Sequence, residues 1–168
     1  MRIYLVGYMC SGKSKVGLAL SKAMRYKFFD TDLEIEEEAG KSIQKIFTEN
    51  GEDYFRKLEA KILHTTTSLS KVVIATGGGL PCFHDNMTWM NEKGITVYIE
   101  AKEGLLFHRL ASSRQERPLI DHLNDVELME RISRDLILRN PIYQLAKIKV
   151  NAANINLNVL KQKLEKLK

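Results

Sequence analysis

Short apolar runs alternate with longer stretches in which apolar residues recur every three or four positions, and the alternation describes a parallel α/β domain. Ile3-Tyr4-Leu5-Val6 is a short, β-prone run that reads as a buried strand. Lys71-Val72-Val73-Ile74-Ala75-Thr76 is near-continuous apolar sequence, suited to the interior of a parallel sheet. Ile95-Thr96-Val97-Tyr98-Ile99 alternates as a strand does, and residues 27–32 and 146–150 supply two more strands. Between the strands the period becomes helical. Val16, Ala19, Leu20, Ala23 and Met24 mark a first helix ending near Arg25, and residues 33–39 form a second. Ser42 caps a short helix carrying Ile43, Ile46 and Phe47; beyond Asn50-Gly51 a longer one carries Tyr54, Phe55, Leu58, Ile62 and Leu69. Residues 81–93, with Trp89 as a packing residue, then 102–110 and 126–139 are further helices. The last of these carries Met129, Ile132 and Leu136 on one side and is interrupted or kinked by Asn140-Pro141-Ile142-Tyr143. Asn154 or Asn156 caps a closing helix that buries Val159, Leu160, Leu164 and Leu167. A parallel sheet of this kind binds its ligands at the carboxyl ends of its strands.

The loop after the first strand carries the most specific chemistry. Gly7-Tyr8-Met9-Cys10-Ser11-Gly12-Lys13-Ser14 matches G-x-x-x-x-G-K-[ST] and stands between the strand and the helix that a phosphate-binding loop requires. Its glycines let the backbone fold into a nest of N–H donors for phosphate oxygens, and the helix N-terminus adds the positive end of its dipole. Lys13 is placed to reach the β- and γ-phosphates of a nucleotide, and the Ser14 hydroxyl to ligate Mg²⁺.

Composition narrows the class without changing that reading. The chain has 168 residues, 44% hydrophobic and 28% charged, which suits one soluble domain with a core of its own. No stretch reaches the length of a membrane span, and the N-terminal apolar run is too short for a signal peptide. Two cysteines, Cys10 and Cys82, make no disulfide framework and fit a reducing cytoplasm. Net charge is +5, but Lys161, Lys163, Lys166 and Lys168 crowd the C-terminus as a solvated helix face, and no nucleic-acid-binding motif accompanies them. A modest basic excess suits anionic small molecules.

Further candidates fall at strand ends and in one polar stretch. Asp30 and Asp32 close the second strand beside the loop; one division of labour puts Asp30 near Mg²⁺ and Asp32 at an acceptor hydroxyl, while Asp32 can also cap the following helix. Arg56 and Glu59 stand at i and i+3, either as a surface ion pair or as a substrate-facing arginine with its orienting carboxylate. Gly77-Gly78-Gly79 lets backbone approach a ligand and present bare N–H groups. Thr76 stands where a Walker-B strand usually ends in Asp, so a metal-side carboxylate must come from Asp30 or Asp32. Residues 112–125 are polar and arginine-bearing, a candidate lid in which Arg117 is the choice for the transferring phosphoryl group and Arg109 and Arg114 are alternatives. The four histidines are scattered and receive no chemistry.

In order and spacing, the loop 7–14, Asp30-Thr31-Asp32, Phe55-Arg56 with Glu59, Gly77-Gly78-Gly79, Arg117-Pro118-Leu119 and Arg139-Asn140-Pro141-Ile142-Tyr143 resemble the shikimate kinases, small P-loop kinases related to nucleoside monophosphate kinases. The resemblance covers nearly the whole chain. It implies a P-loop kinase fold in a single domain, 1–168: a five-stranded parallel sheet flanked by helices, a substrate-binding helical region at about 32–60 and a mobile lid at about 112–125. It implies transfer of the ATP γ-phosphoryl group to the 3-hydroxyl of shikimate, with Mg²⁺, in a cytoplasmic monomer without nucleic-acid or membrane partner. Gly7, Cys10, Ser11, Gly12, Lys13, Ser14 and Lys15 would hold ATP, with Arg109 and Arg117; Lys13, Asp32 and Arg117 would serve the chemistry. Asp32, Arg56, Gly78, Gly79 and Arg139 would bind shikimate, and Ser14 and Asp30 the metal. Paired arginines suit bidentate carboxylate recognition. The runners-up are a sister kinase for gluconate or a nucleoside monophosphate, and a nucleotide-binding module without turnover; the Asn-Lys-x-Asp guanine motif of a GTPase is absent.

Two positions depart from the family pattern. Cys10 stands where members usually carry glycine, and a left-handed backbone there would cost a side chain about 1–2 kcal/mol. Asn151-Ala152-Ala153-Asn154 supplies neither the basic residue nor the proline against which adenine often packs, and Arg109 is the substitute stacking face. Nucleotide selectivity is therefore expected to be weak. Equal turnover with GTP and ATP supports this, and strict ATP dependence opposes it.

Overall fold

Ile3, Tyr4, Leu5 and Val6 are fully buried, so the strand they form has neighbours on both edges and cover on both faces. In the computed structural model, which describes residues 1–113, 120 and 122–167, this strand is β1 (Arg2–Val6). It pairs in parallel with β3 (Val72–Ala75), Leu5 opposite Ala75, and with β4 (Ile95–Glu100), Leu5 opposite Val97. β2 (Lys27–Asp30) and β5 (Ile148–Asn151) take the edges, giving one parallel sheet in the order β2-β3-β1-β4-β5. Successive side chains of β1 point to opposite faces. Ile3 and Leu5 meet Leu20 of α1 (Lys13–Met24) and Leu160 and Leu164 of α7 (Leu157–Glu165). Tyr4 and Val6 meet Leu63 of α3 (Ile43–Thr65), Met87 and Met90 of α4 (Asn86–Lys93) and Tyr143 of α6 (Asp125–Tyr143). The expected P-loop kinase architecture, a five-stranded parallel sheet between helices, is present. Among the described residues no helix is long and apolar enough to cross a membrane.

Four local expectations change. β2 stops at Asp30, which caps α2 (Thr31–Ala39) by accepting a hydrogen bond from the Asp32 amide at 3.1 Å. Asp32 therefore lies in the first helical turn, and the two carboxylates do not share a strand face. The helix expected over 81–93 is two pieces: a 3-10 turn, Leu80–Cys82, and α4, separated by His84 and Asp85 at left-handed φ of 51° and 54°. Of the interruption or kink expected at Pro141, the interruption does not occur; α6 runs through Pro141 to Tyr143. Its last turn is pinned from outside, by Tyr98 donating to the Asn140 side chain at 2.8 Å and Tyr143 donating to the Gly78 carbonyl. Such tertiary bonds offset the one backbone bond that proline removes. In α7, Leu160 and Leu164 are buried as expected while Val159 and Leu167 are exposed, so the apolar stripe is narrower. Asn156, of the two candidates, is the cap, accepting from the amides of Asn158 and Val159. The break at Gly51, with φ 79° and ψ 172° inside α3, follows the sequence reading.

The β1–α1 connection is left-handed at three positions: Gly7 (φ 143°), Gly12 (φ 106°) and Cys10 (φ 59°). Glycine adopts this freely, whereas Cys10 adopts it at a cost of about 1–2 kcal/mol. Cys10→Gly is expected to stabilise the fold by about 0.5–1 kcal/mol, the strain relieved less the added freedom of the unfolded chain. Thermal melting checks it: a Tm rise of about 2 °C is expected for a domain this size, and a fall would mean that the packing of the Cys10 side chain against the cluster at Tyr8 and Leu110 outweighs the strain.

Candidate active site

The carboxyl ends of β1, β2 and β3 open onto one cleft of about 670 Å³, bounded by loop residues 9–15, Asp30, Asp32, Thr76, Gly78 and Arg109. The phosphate loop forms its floor. Lys13 is buried, and its Nζ donates to the carbonyls of Gly7 (2.8 Å) and Tyr8 (2.9 Å), which holds the ammonium over the loop. Arg109, on α5 (Glu103–Ser112), donates from one Nη1 to the carbonyls of Cys10 (2.9 Å) and Ser11 (3.0 Å). Its guanidinium braces the outside of the loop and also borders the cleft. The far wall is Ala152, Ile155 and Leu157, an apolar surface in place of a basic residue and proline.

Ser14 Oγ donates to Asp30 Oδ2 at 2.7 Å. A hydroxyl beside a carboxylate is a hard-oxygen donor pair of the kind Mg²⁺ takes, usually with phosphates and waters completing its shell. Among the described residues no cluster of three or more His, Cys, Asp or Glu can hold a metal by itself. The donor set therefore fits an ion brought with the nucleotide. Thr76 donates to the Leu5 carbonyl at 3.0 Å, so the end of β3 is tied to β1 and carries no carboxylate.

Across Gly77-Gly78-Gly79 lies a second cluster of charged side chains. Arg56 bonds Glu59 at 2.6 Å and Glu52 at 2.9 Å, and its guanidinium lies 4.2 Å from the centre of the Phe83 ring. Glu59 is only 2% exposed, so the pair is a buried device and not a surface ornament. The glycines are fixed by their surroundings. A Cβ on Gly77 would come within 2.8 Å of both Asp32 Oδ1 and Glu59 Oε1, and one on Gly79 within 2.7 Å of Arg56 Nη1. Asp32 and Glu59 thus crowd the same backbone from two helices. Arg139, on α6, faces Asp135 at 3.4 Å and lies 5.4 Å from the centre of the Tyr8 ring.

Sequence reasoning missed Tyr8, Asp135, Tyr143 and Cys82 as parts of this site. Tyr8 donates to Asp135 at 2.9 Å, and Tyr143, which lies beside Arg139, donates to Gly78. The i, i+4 spacing of Arg131, Asp135 and Arg139 was the available signal. Cys82 lies in reach of the Arg139, Arg56 and Glu59 charges; burial pushes its thiol up, and the two arginines only partly oppose this. Arg117 and Arg114, and with them half of the stretch read as a lid (residues 114–119 and 121), lie outside the described residues.

Burial pushes the Glu59 carboxyl up to about 7, against the pull of Arg56, with Asp32 adding to the rise and Arg139 opposing it. A raised folded-state value gives stability that is full below the ordinary 4.5 and is lost as pH rises through about 7. Glu59→Gln lacks that slope. Its Tm relative to the parent chain is expected to move in the variant's favour between about pH 5 and pH 8; a difference independent of pH would show that Glu59 titrates in the ordinary range.

The comparisons with known proteins show the family. The family model described as "Shikimate kinase" matches residues 9–168. A shikimate kinase from Phocaeicola vulgatus is 46% identical over 146 residues, 87% of this chain and 83% of the relative. The crystal structure of a shikimate kinase from Bacteroides thetaiotaomicron, 40% identical, superposes with a TM-score of 0.91 over 99% of this chain and 97% of the other. A shikimate kinase from Acinetobacter baumannii, solved in complex with shikimate, is 32% identical with a TM-score of 0.84, over 99% and 91% of the two chains. The chain belongs to the shikimate kinase family.

Proposed function

We propose that the protein transfers the γ-phosphoryl group of ATP to the 3-hydroxyl of shikimate, giving shikimate 3-phosphate. One observation carries the reading: the phosphate loop borders Gly78, Asp32 packs on Gly77 and Arg56 on Gly79, and the charges of Arg56, Arg139 and Asp32 all reach Glu59. In this reading the loop amides of residues 7–15 and the Lys13 ammonium hold the phosphates. Ser14 and Asp30 would hold Mg²⁺, which when bound neutralises charge on the β- and γ-phosphates. Arg56 and Arg139 bind the acid's carboxylate, and the Gly78 and Gly79 backbone borders it. Asp32 accepts from the acceptor hydroxyl, orients it and takes up its proton as the bond to phosphorus forms. Its place in the first turn of α2 supports that role, because Asp30 already supplies the cap. Arg109 steadies the loop from outside, and Arg117 and the lid at about 112–125 enter on the family resemblance alone. The reading includes a single domain, residues about 32–60 as the acid-binding region, a reducing cytoplasmic setting that two free cysteines support, and a monomer.

The test is ADP release with Mg·ATP, offering shikimate, gluconate and AMP separately to the parent chain and to Asp32→Asn. Turnover with shikimate alone is expected, and Asp32→Asn should lower kcat at least about a hundredfold while nucleotide binding is kept. Activity on another acceptor would reassign the arginines; an unchanged kcat in Asp32→Asn would remove that residue from the chemistry.

A further inference from the structure

Asp135 is buried on α6, and its Oδ2 alone receives three groups: the Tyr8 hydroxyl at 2.9 Å, Arg131 Nε at 3.1 Å and Arg139 Nη2 at 3.4 Å. Tyr8 belongs to the phosphate loop and is itself 2% exposed. Arg139 lies beside Tyr143, whose hydroxyl donates to the Gly78 carbonyl. Gly78 in turn packs on the loop, since a Cβ there would come within 3.1 Å of the Met9 amide nitrogen. The contacts close a ring: loop, Tyr8, Asp135, Arg139, Tyr143, Gly78 and back to the loop. Every member is held by at least two others.

We propose that Asp135 is a positioning residue that, through Tyr8, fixes Arg139 to the phosphate loop and so sets the distance between the acid's carboxylate and the phosphate to be transferred. The inference rests on the reading of Arg139 as an anchor for the acid. The geometry suits positioning better than simple charge pairing. Arg131 makes the directed hydrogen bond to Asp135, whereas Arg139 sits at the longer distance with a single nitrogen. A fork-to-fork pair would consume the N–H groups that a substrate carboxylate needs. One long contact neutralises and orients Arg139 while leaving the rest of its donors for the ligand. Tyr8 ties the same carboxylate to the loop, so a shift of the loop moves Arg139 with it. In-line transfer depends steeply on such registration, because small displacements of a reacting group are expensive in rate.

Two near-isosteric variants separate positioning from mere support. Tyr8→Phe deletes only the hydroxyl, and Asp135→Asn keeps an acceptor while removing the charge. The kcat/KM for shikimate is expected to fall several-fold in Tyr8→Phe and at least about tenfold in Asp135→Asn, with the KM for ATP within about twofold of the parent in both. The double variant should be no worse than Asp135→Asn alone, because both act along one path. Additive losses, or lower Tm with kcat/KM for the acid unchanged, would overturn the proposal. If Asp135→Asn does not fold, Tyr8→Phe decides: a change confined to the KM for ATP, or no change, overturns it. Arg139→Ala is the control. Should that variant leave the KM for the acid untouched, the assignment of Arg139 fails and not the ring of contacts.

Discussion

The backbone of residues 7–12 is the reference point for the rest of the site. It must present its amides to phosphate, and it can do so only by passing through left-handed geometry at Gly7 and Gly12. The space around it is as restrictive as its dihedral angles. A Cβ on Gly7 would come within 2.7 Å of the Ile99 carbonyl, and one on Gly78 within 3.1 Å of Met9 N. The loop is thus wedged between the ends of β3 and β4, the two strands that flank β1. Anything carried by the Gly77-Gly78-Gly79 segment is positioned against the phosphates by backbone packing before side chains contribute. The acid site inherits its register from that wedge.

Electrostatics then sorts the charges. Arg56 has Glu59 and Glu52, Arg139 has Asp135, and Ser14 has Asp30, so each of these three groups has a carboxylate partner. The surface pair Lys61–Glu38 has a similar contact distance, 2.6 Å, but lies in water and contributes little. Arg56–Glu59 is different, because burying Glu59 costs desolvation that the ion pair does not fully return. Such a pair is poor at stabilising a fold. It is good at holding a guanidinium in one orientation next to backbone that has no side chain to obstruct it. The raised Glu59 carboxyl is the visible cost of that arrangement.

Much of this was legible in the sequence. The strands, the phosphate loop, Arg56 with Glu59 and the triple glycine all stand out because each needs particular residue types at fixed spacing. Element ends were less legible. Whether Asp30 or Asp32 caps α2 depends on where β2 stops, which is a matter of one residue and of pairing with β3. Pro141 looked like a break because local propensity says so, yet the Tyr98 hydroxyl and the Gly78 carbonyl, both distant in sequence, hold the turn through Asn140 and Tyr143. Val159 and Leu167 share the helical period of α7 but fall at the margins of its buried stripe. Asp135 was invisible for a related reason. On a helical wheel it is one more charge beside an apolar stripe, and only the packing of α6 against the loop brings Tyr8 to it.

The central claim is spatial: one backbone wedge places an acid's carboxylate and a nucleotide's γ-phosphate on either side of Asp32. A crystal structure with shikimate and a non-hydrolysable ATP analogue tests it most directly. The account predicts the carboxylate between Arg56 and Arg139, and the 3-hydroxyl within about 3 Å of the Asp32 carboxylate on the side of the γ-phosphate. A carboxylate anchored away from both arginines, or an acceptor hydroxyl out of reach of Asp32, would contradict it.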